Sequence, residues 1–182
     1  MTIRPESNTS LVVPPEPLET PSQHGHQVEL EVGLDFVNTL EHGRAGAEEH
    51  LPSAEAALYW LRDHDLMHVE AQVDQLQRVT EDPEAAEKLL TRVRKVREAM
   101  RELADASVGR RSPETKSLDC VNKMLRTTYT YYLVPAPDGV SLDHRHEGDP
   151  VEGALARLVE SIARELSQGH PERLRICAND EC

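Results

Sequence analysis

Asp82-Pro83-Glu84-Ala85-Ala86-Glu87-Lys88-Leu89-Leu90 opens the stretch whose reading decides the fold. An acid able to accept from free amides, a proline at the first helical position and an acid in the first turn mark a helix start. From there Ala86, Leu89, Val93, Val96, Met100 and Leu103 recur by threes and fours. That spacing lays one apolar face along an α-helix. The segment is predicted to be the spine of the core.

Toward the C-terminus, Ser112-Pro113-Glu114 repeats the start signal, and Leu118, Val121, Met124 and Leu125 give the next helix its apolar face. Residues 127–134 are rich in Tyr and Thr, which suit a pleated surface. Asp138-Gly139 is a turn signal, and Val140, Leu142, His144 and His146 alternate after it, so a β-hairpin is predicted over 128–146. Asp149-Pro150-Val151-Glu152 starts a closing helix with Val151, Leu155, Leu158, Ile162 and Leu166 inward. Gly169 and Pro171 stop it.

Toward the N-terminus, Val69, Val73 and Leu76 predict a helix over 69–79 with those residues inward. Ser53 is read as the N-cap of a helix that buries Ala54, Ala57, Leu58 and Leu61. Residues 42–49, with Gly43 and Gly46, read as a loop, and 34–41 as a short helix. Val28, Leu30 and Val32 alternate with Gln27, Glu29 and Glu31, which predicts a short strand broken at Gly33. Residues 1–26 hold five of the twelve prolines and little that can be buried, so they read as a disordered tail. The expected fold class is α+β, helix dominant: a helical bundle with a small antiparallel β-hairpin and the early strand as a sheet at one side.

The length of 182 residues suits one domain with an appendage. Acids outnumber bases 33 to 20, a net charge of −13, which argues against a broad grip on a nucleic-acid backbone. Aromatics are 3% of the chain, so Leu, Val and Ala must build the core. No apolar run approaches the ~18 residues of a membrane span, and the apolar stretch 11–13 is too short for a signal peptide. Three cysteines, an odd number, argue against a disulfide framework and for a reducing cytoplasm.

Two signals are not generic. Cys177-Ala178-Asn179-Asp180-Glu181-Cys182 follows a basic, extended segment. Two thiolates across a short loop are half of a tetrahedral zinc site, since zinc takes four ligands. The expectation is that the chain is cut inside that site, so zinc belongs to the full-length protein and not to this chain. The second signal is Leu34-Asp35-Phe36-Val37-Asn38-Thr39-Leu40. Residues at i and i+3 share a helix face, so Asp35 and Asn38, with Thr39 beside them, are the candidate ligand-binding residues. Spacing leaves a second reading open, in which they cap the neighbouring backbone.

Other features have plainer readings. Arg92, Arg94, Lys95, Arg97 and Arg101 interleave with Glu87, Glu98 and Glu102, so i,i+4 pairing is expected over a nucleic-acid stripe. His144 and His146 make an H-x-H pair with no evident third ligand. Cys120 is expected to be a buried, inert thiol, and Trp60 a core plug. A glycine-rich phosphate loop, a nucleophile elbow and a zinc-protease helix are all absent from the sequence, so no enzyme is expected and no catalytic residue is assigned.

With these residues in view, 34–40 resembles the LD-x-VNT signature of the bacterial ABATE domain. Trp60-Leu61, the helix around Asn122, the hairpin and Arg173-Leu174-Arg175-Ile176-Cys177-Ala178-Asn179 extend the resemblance over 28–182. It implies a tail at 1–26, a helical sensor domain at 27–170, and at 171–182 the start of a CGNR-type zinc finger. The acid that follows the glycine-bearing loop in that family corresponds to Glu48 or Glu49. The resemblance further implies a stress-linked transcriptional regulator that senses an unknown small molecule and binds DNA through the finger. The alternative is a homodimerising scaffold that takes no ligand and positions two fingers on DNA.

Overall fold

The computed structural model describes residues 28–43, 46–127, 129–137, 139–146 and 148–168. At its centre is α4 (Pro83–Val108), whose 26 residues span about 39 Å at ~1.5 Å per residue. Its start is as the sequence dictates: the Asp82 carboxylate accepts from the amides of Glu84 and Ala85, and Pro83 occupies the first turn. Leu89, Val93, Val96 and Met100 are buried, with Ala86 and Leu103 packed at the core edge.

Around α4 stand α1 (Leu30–Asn38), α2 (Ala54–Asp63), α3 (Val69–Glu81), α5 (Thr115–Leu125) and α6 (Pro150–Ser167). All five pack on α4, and α6 also packs on α1 and α5. Two antiparallel hairpins complete the described residues, β1 (Leu40–Gly43) with β2 (Gly46–Glu49) and β3 (Tyr129–Ala136) with β4 (Gly139–His146). The class is therefore helix-dominant α+β, as expected. No helix among the described residues is long and apolar enough to cross a membrane.

Several local expectations are corrected. The alternation at 28–32 is not a strand, because α1 begins at Leu30 and runs through it. Leu30, Gly33, Leu34 and Val37 also fit the 3.6-residue period, and five residues cannot separate the two patterns. Gly33 is not a breaker. It is buried inside α1 where α6 comes closest: a Cβ there would lie 2.4 Å from Ser161 Oγ and 3.1 Å from Ile162 Cγ1.

The expected loop at 42–49 is largely a tight hairpin, with Leu40 opposite Glu49 and Gly43 opposite Gly46. Gly46 has φ +118°, a conformation that only glycine adopts without strain. Neither hairpin pairs with the other, so the single side sheet becomes two separate ribbons.

On α3 the buried residues are Gln72 and Val79, while Val69 and Val73 are 59% and 55% exposed. The Gln72 amide donates to Leu58 O, which lets a polar side chain take the inward position. α5 starts at Thr115, behind an uncapped Glu114, and not at Pro113. There Glu102 of α4 holds the connection by accepting from Arg111 Nη1 and from the Glu114 amide. The tail at 1–26 lies outside the described residues.

Candidate functional site

Charged side chains on the apolar stripe of α4 create the site. Arg97 lies four residues after Val93 and directly after Val96, so it points inward with them. Its side chain is 2% exposed. A buried guanidinium must be paired and hydrogen-bonded, because desolvating it alone is costly. Glu49, at the end of β2, supplies the pair. Arg97 Nη1 donates to Glu49 Oε1 at 2.7 Å and Nη2 to Oε2 at 2.7 Å, a bidentate fork. Arg97 Nη1 also donates to Thr39 Oγ1 at 3.0 Å, and Thr39 in turn donates to Phe36 O at 2.7 Å.

Neighbouring residues finish the cluster. Glu49 Oε1 accepts from the Leu51 amide at 2.8 Å, and Arg94 Nη2 donates to Leu51 O at 3.0 Å. Arg94 Nε lies 3.4 Å from Glu49 Oε2. Arg101, one turn beyond Arg97, donates to Val37 O at 2.7 Å and to Leu40 O. Val37 O is one of the last carbonyls of α1, which have no partner inside their own helix. A guanidinium there satisfies the carbonyl and sits at the negative end of the helix dipole.

The electrostatics follow from these contacts. The hydrogen bond from Arg97 holds the Glu49 carboxyl below the usual carboxylate range, against the opposing effect of burial. Burial lowers the pKa of Arg101. This arrangement ties the C-terminus of α1 and the β1–β2 hairpin to α4 through three guanidinium groups and one carboxylate. It holds elements together, and it offers no nucleophile beside a base.

The sequence-predicted residues fall on both sides of this cluster. Thr39 is buried at 5% exposure and faces Arg97. Asp35 and Asn38 are exposed on α1 and make no side-chain hydrogen bond among the described residues. The trio therefore does not converge on one pocket. Arg97 and Arg101 reach into the space between α1, the first hairpin and α4. The α4 arginines are also corrected. Arg94, Arg97 and Arg101 reach other elements, and Arg92 Nη2 pairs with Asp149 at 2.6 Å, so none of the four serves as an i,i+4 partner of the interleaved glutamates. The i,i+4 pair on this helix is Lys88 with Glu84.

Reasoning from sequence missed Arg94, Arg97 and Arg101 as a cluster. The available signal was an arginine in register with the apolar stripe. Of the two acids left open by the resemblance, Glu49 turns inward and Glu48 is exposed.

The remaining candidates are placed as follows. Burial raises the pKa of the half-buried Cys120 thiol, which disfavours the reactive thiolate. Trp60 is half-buried at the core edge, tilted against Phe36 at 5.3 Å and stacked on His64 at 3.9 Å. His146 accepts from the Gly148 amide at Nδ1. Among the described residues no group of three or more His, Cys, Asp or Glu is placed to hold a metal ion. Cys177 and Cys182 lie outside the described residues, as does the side chain of His144.

A helical domain whose first helix and first hairpin are pinned to a central helix by arginines, the buried Arg97 among them, is the class that fold and site define. The chain belongs to the ABATE family, described as "Putative stress-induced transcription regulator", whose model matches residues 30–169, more than three quarters of the sequence. No curated protein and no solved structure gives a significant match.

Proposed function

We propose that residues 28–168 form the input domain of a cytoplasmic transcription regulator. The observation that carries this reading is the family match over 30–169. The packing supports it. α6 touches α1, α4 and α5, and it is the last described element before the segment with Cys177 and Cys182. A small-molecule effector that favours one packing of α6 over another shifts that segment by its differential affinity for the two states. Cys177 and Cys182 supply two of the four ligands of a structural zinc, and DNA binding follows from the finger so built.

The test uses the epitope-tagged natural protein in its own cells. Immunoprecipitation with sequencing of the bound DNA is expected to recover discrete promoter sites. A Cys177→Ser, Cys182→Ser variant is expected to lose them while its thermal midpoint stays unchanged. Uniform background DNA from the unaltered protein would sink the reading.

A second reading, the homodimeric scaffold without ligand, is favoured by the β3–β4 hairpin. Pro135 pairs with Val140 near its tip, and Leu133 and Val140 are 66% and 71% exposed. A two-stranded ribbon is marginal in water by itself, and a partner's apolar surface would cover these side chains. Light scattering at micromolar concentration is expected to give a dimer that Leu133→Lys with Val140→Lys converts to monomer. A monomeric parent chain rejects the scaffold.

A further inference from the structure

α3, α4 and the start of α6 enclose a cleft of about 260 Å³. Its apolar part includes Val79 and Leu89, each 4% exposed, and its polar part includes Arg78, Lys88, Arg92 and Asp149. Small-molecule sites combine an apolar lining with a few convergent polar groups, at volumes upward of ~300 Å³, so this one suits a compact ligand.

The three cations are not equally engaged. Lys88 is held by Glu84, and both side chains are more than 70% exposed. Arg92 gives Nη2 to Asp149, and its side chain keeps 32% of its exposure. Arg78 has no carboxylate within ion-pair distance among the described residues. A carboxylate or phosphate oxygen is the strongest acceptor for a guanidinium that still has N–H groups to give. With Lys88 on Glu84 and Arg92 on Asp149, Arg78 leaves the cleft one positive charge in excess.

We propose that this cleft binds a small organic anion, with one carboxylate or phosphate group on Arg78 and Arg92 and a short apolar body on Val79 and Leu89. The anion competes with Asp149 for Arg92. The Asp149 carboxylate also caps α6 by accepting from the Val151 amide, so the ligand acts at the first turn of the helix that leads to the cysteine segment. That last step rests on the regulatory reading above; binding itself does not.

The test is thermal shift on the 182-residue chain at constant ionic strength, with benzoate, phenyl phosphate, inorganic phosphate and benzyl alcohol as probes. Benzoate or phenyl phosphate is expected to raise the midpoint saturably, and the better of the two identifies the head group. Inorganic phosphate is expected to bind more weakly, and benzyl alcohol not at all. Arg78→Ala and Arg92→Ala are expected to weaken binding about tenfold, the loss of one ~1.4 kcal/mol contact. Asp149→Asn keeps an N-cap side chain and removes the competing charge, so it is expected to tighten binding. No saturable shift with either organic anion, or a shift unchanged in the two arginine variants, overturns the site and leaves promoter occupancy as an independent result. Binding without promoter occupancy overturns the regulatory reading and leaves the site standing.

Discussion

Glu49→Ala is expected to lower the unfolding free energy by about 3 kcal/mol, the lower end of what breaking a buried ion pair costs. The lower end applies because the Glu49 side chain keeps 26% of its exposure, while that of Arg97 keeps 2%. The loss comes from the arginine left behind. Its guanidinium would stay desolvated with Thr39 Oγ1 as the remaining acceptor. Total stabilities of about 5–15 kcal/mol make this a large fraction. Removing both charges, as Glu49→Ala with Arg97→Met, is expected to recover part of the loss, since no orphaned charge remains.

The acid limb gives a second readout. The folded carboxyl of Glu49 has a lowered pKa, so its contribution is complete above the unfolded value. It disappears as pH falls through the folded value. Urea midpoints at pH 7 are expected to separate parent and variant clearly, and below about pH 4 the gap is expected to narrow. Equal midpoints at pH 7 would show that the Glu49–Arg97 pair does not hold the fold together.

Gly33→Val is expected to cost about 3 kcal/mol, because overpacking alone costs about 1–3 kcal/mol and β-branching adds to it. The added Cβ would fall 2.4 Å from Ser161 Oγ. That hydroxyl donates to Leu158 O at 2.8 Å, so turning it away forfeits a buried hydrogen bond. Ile162 Cγ1, at 3.1 Å, has to give way as well. Gly33→Ala is milder, since alanine returns roughly 1 kcal/mol of helix propensity against the same clash. Pairing Gly33→Ala with Ser161→Ala is expected to raise the thermal midpoint above that of the single variant. If Gly33→Val melts with the parent, α1 and α6 do not meet at this glycine.

The helices were legible wherever a start signal and a long period coincided. Asp82-Pro83 and Asp149-Pro150 each cap their helices as predicted, and the stripes behind them are buried. Short segments were not, since at 28–32 two periodicities fit the same residues. The first hairpin was hidden for another reason. Its strands, Leu-Glu-His-Gly and Gly-Ala-Glu-Glu, carry no alternating apolar set. The register is held by a turn glycine and by Glu49, whose partner is 48 residues away. No local pattern announces such a pair. In the candidate site, the sequence names Thr39 with a different role and makes Arg97 an i,i+4 partner of the glutamates on its own helix.

The packing of α1 on α6 sets an order of events during synthesis. Gly33, where α1 meets α6, leaves the ribosome more than a hundred residues ahead of Ser161 and Ile162. At about 5–20 residues per second, that interval is roughly ten seconds. For this time the side of α1 that packs on α6 stays uncovered. The α6-facing side of α1 is the surface that a chaperone would have to cover until α6 emerges.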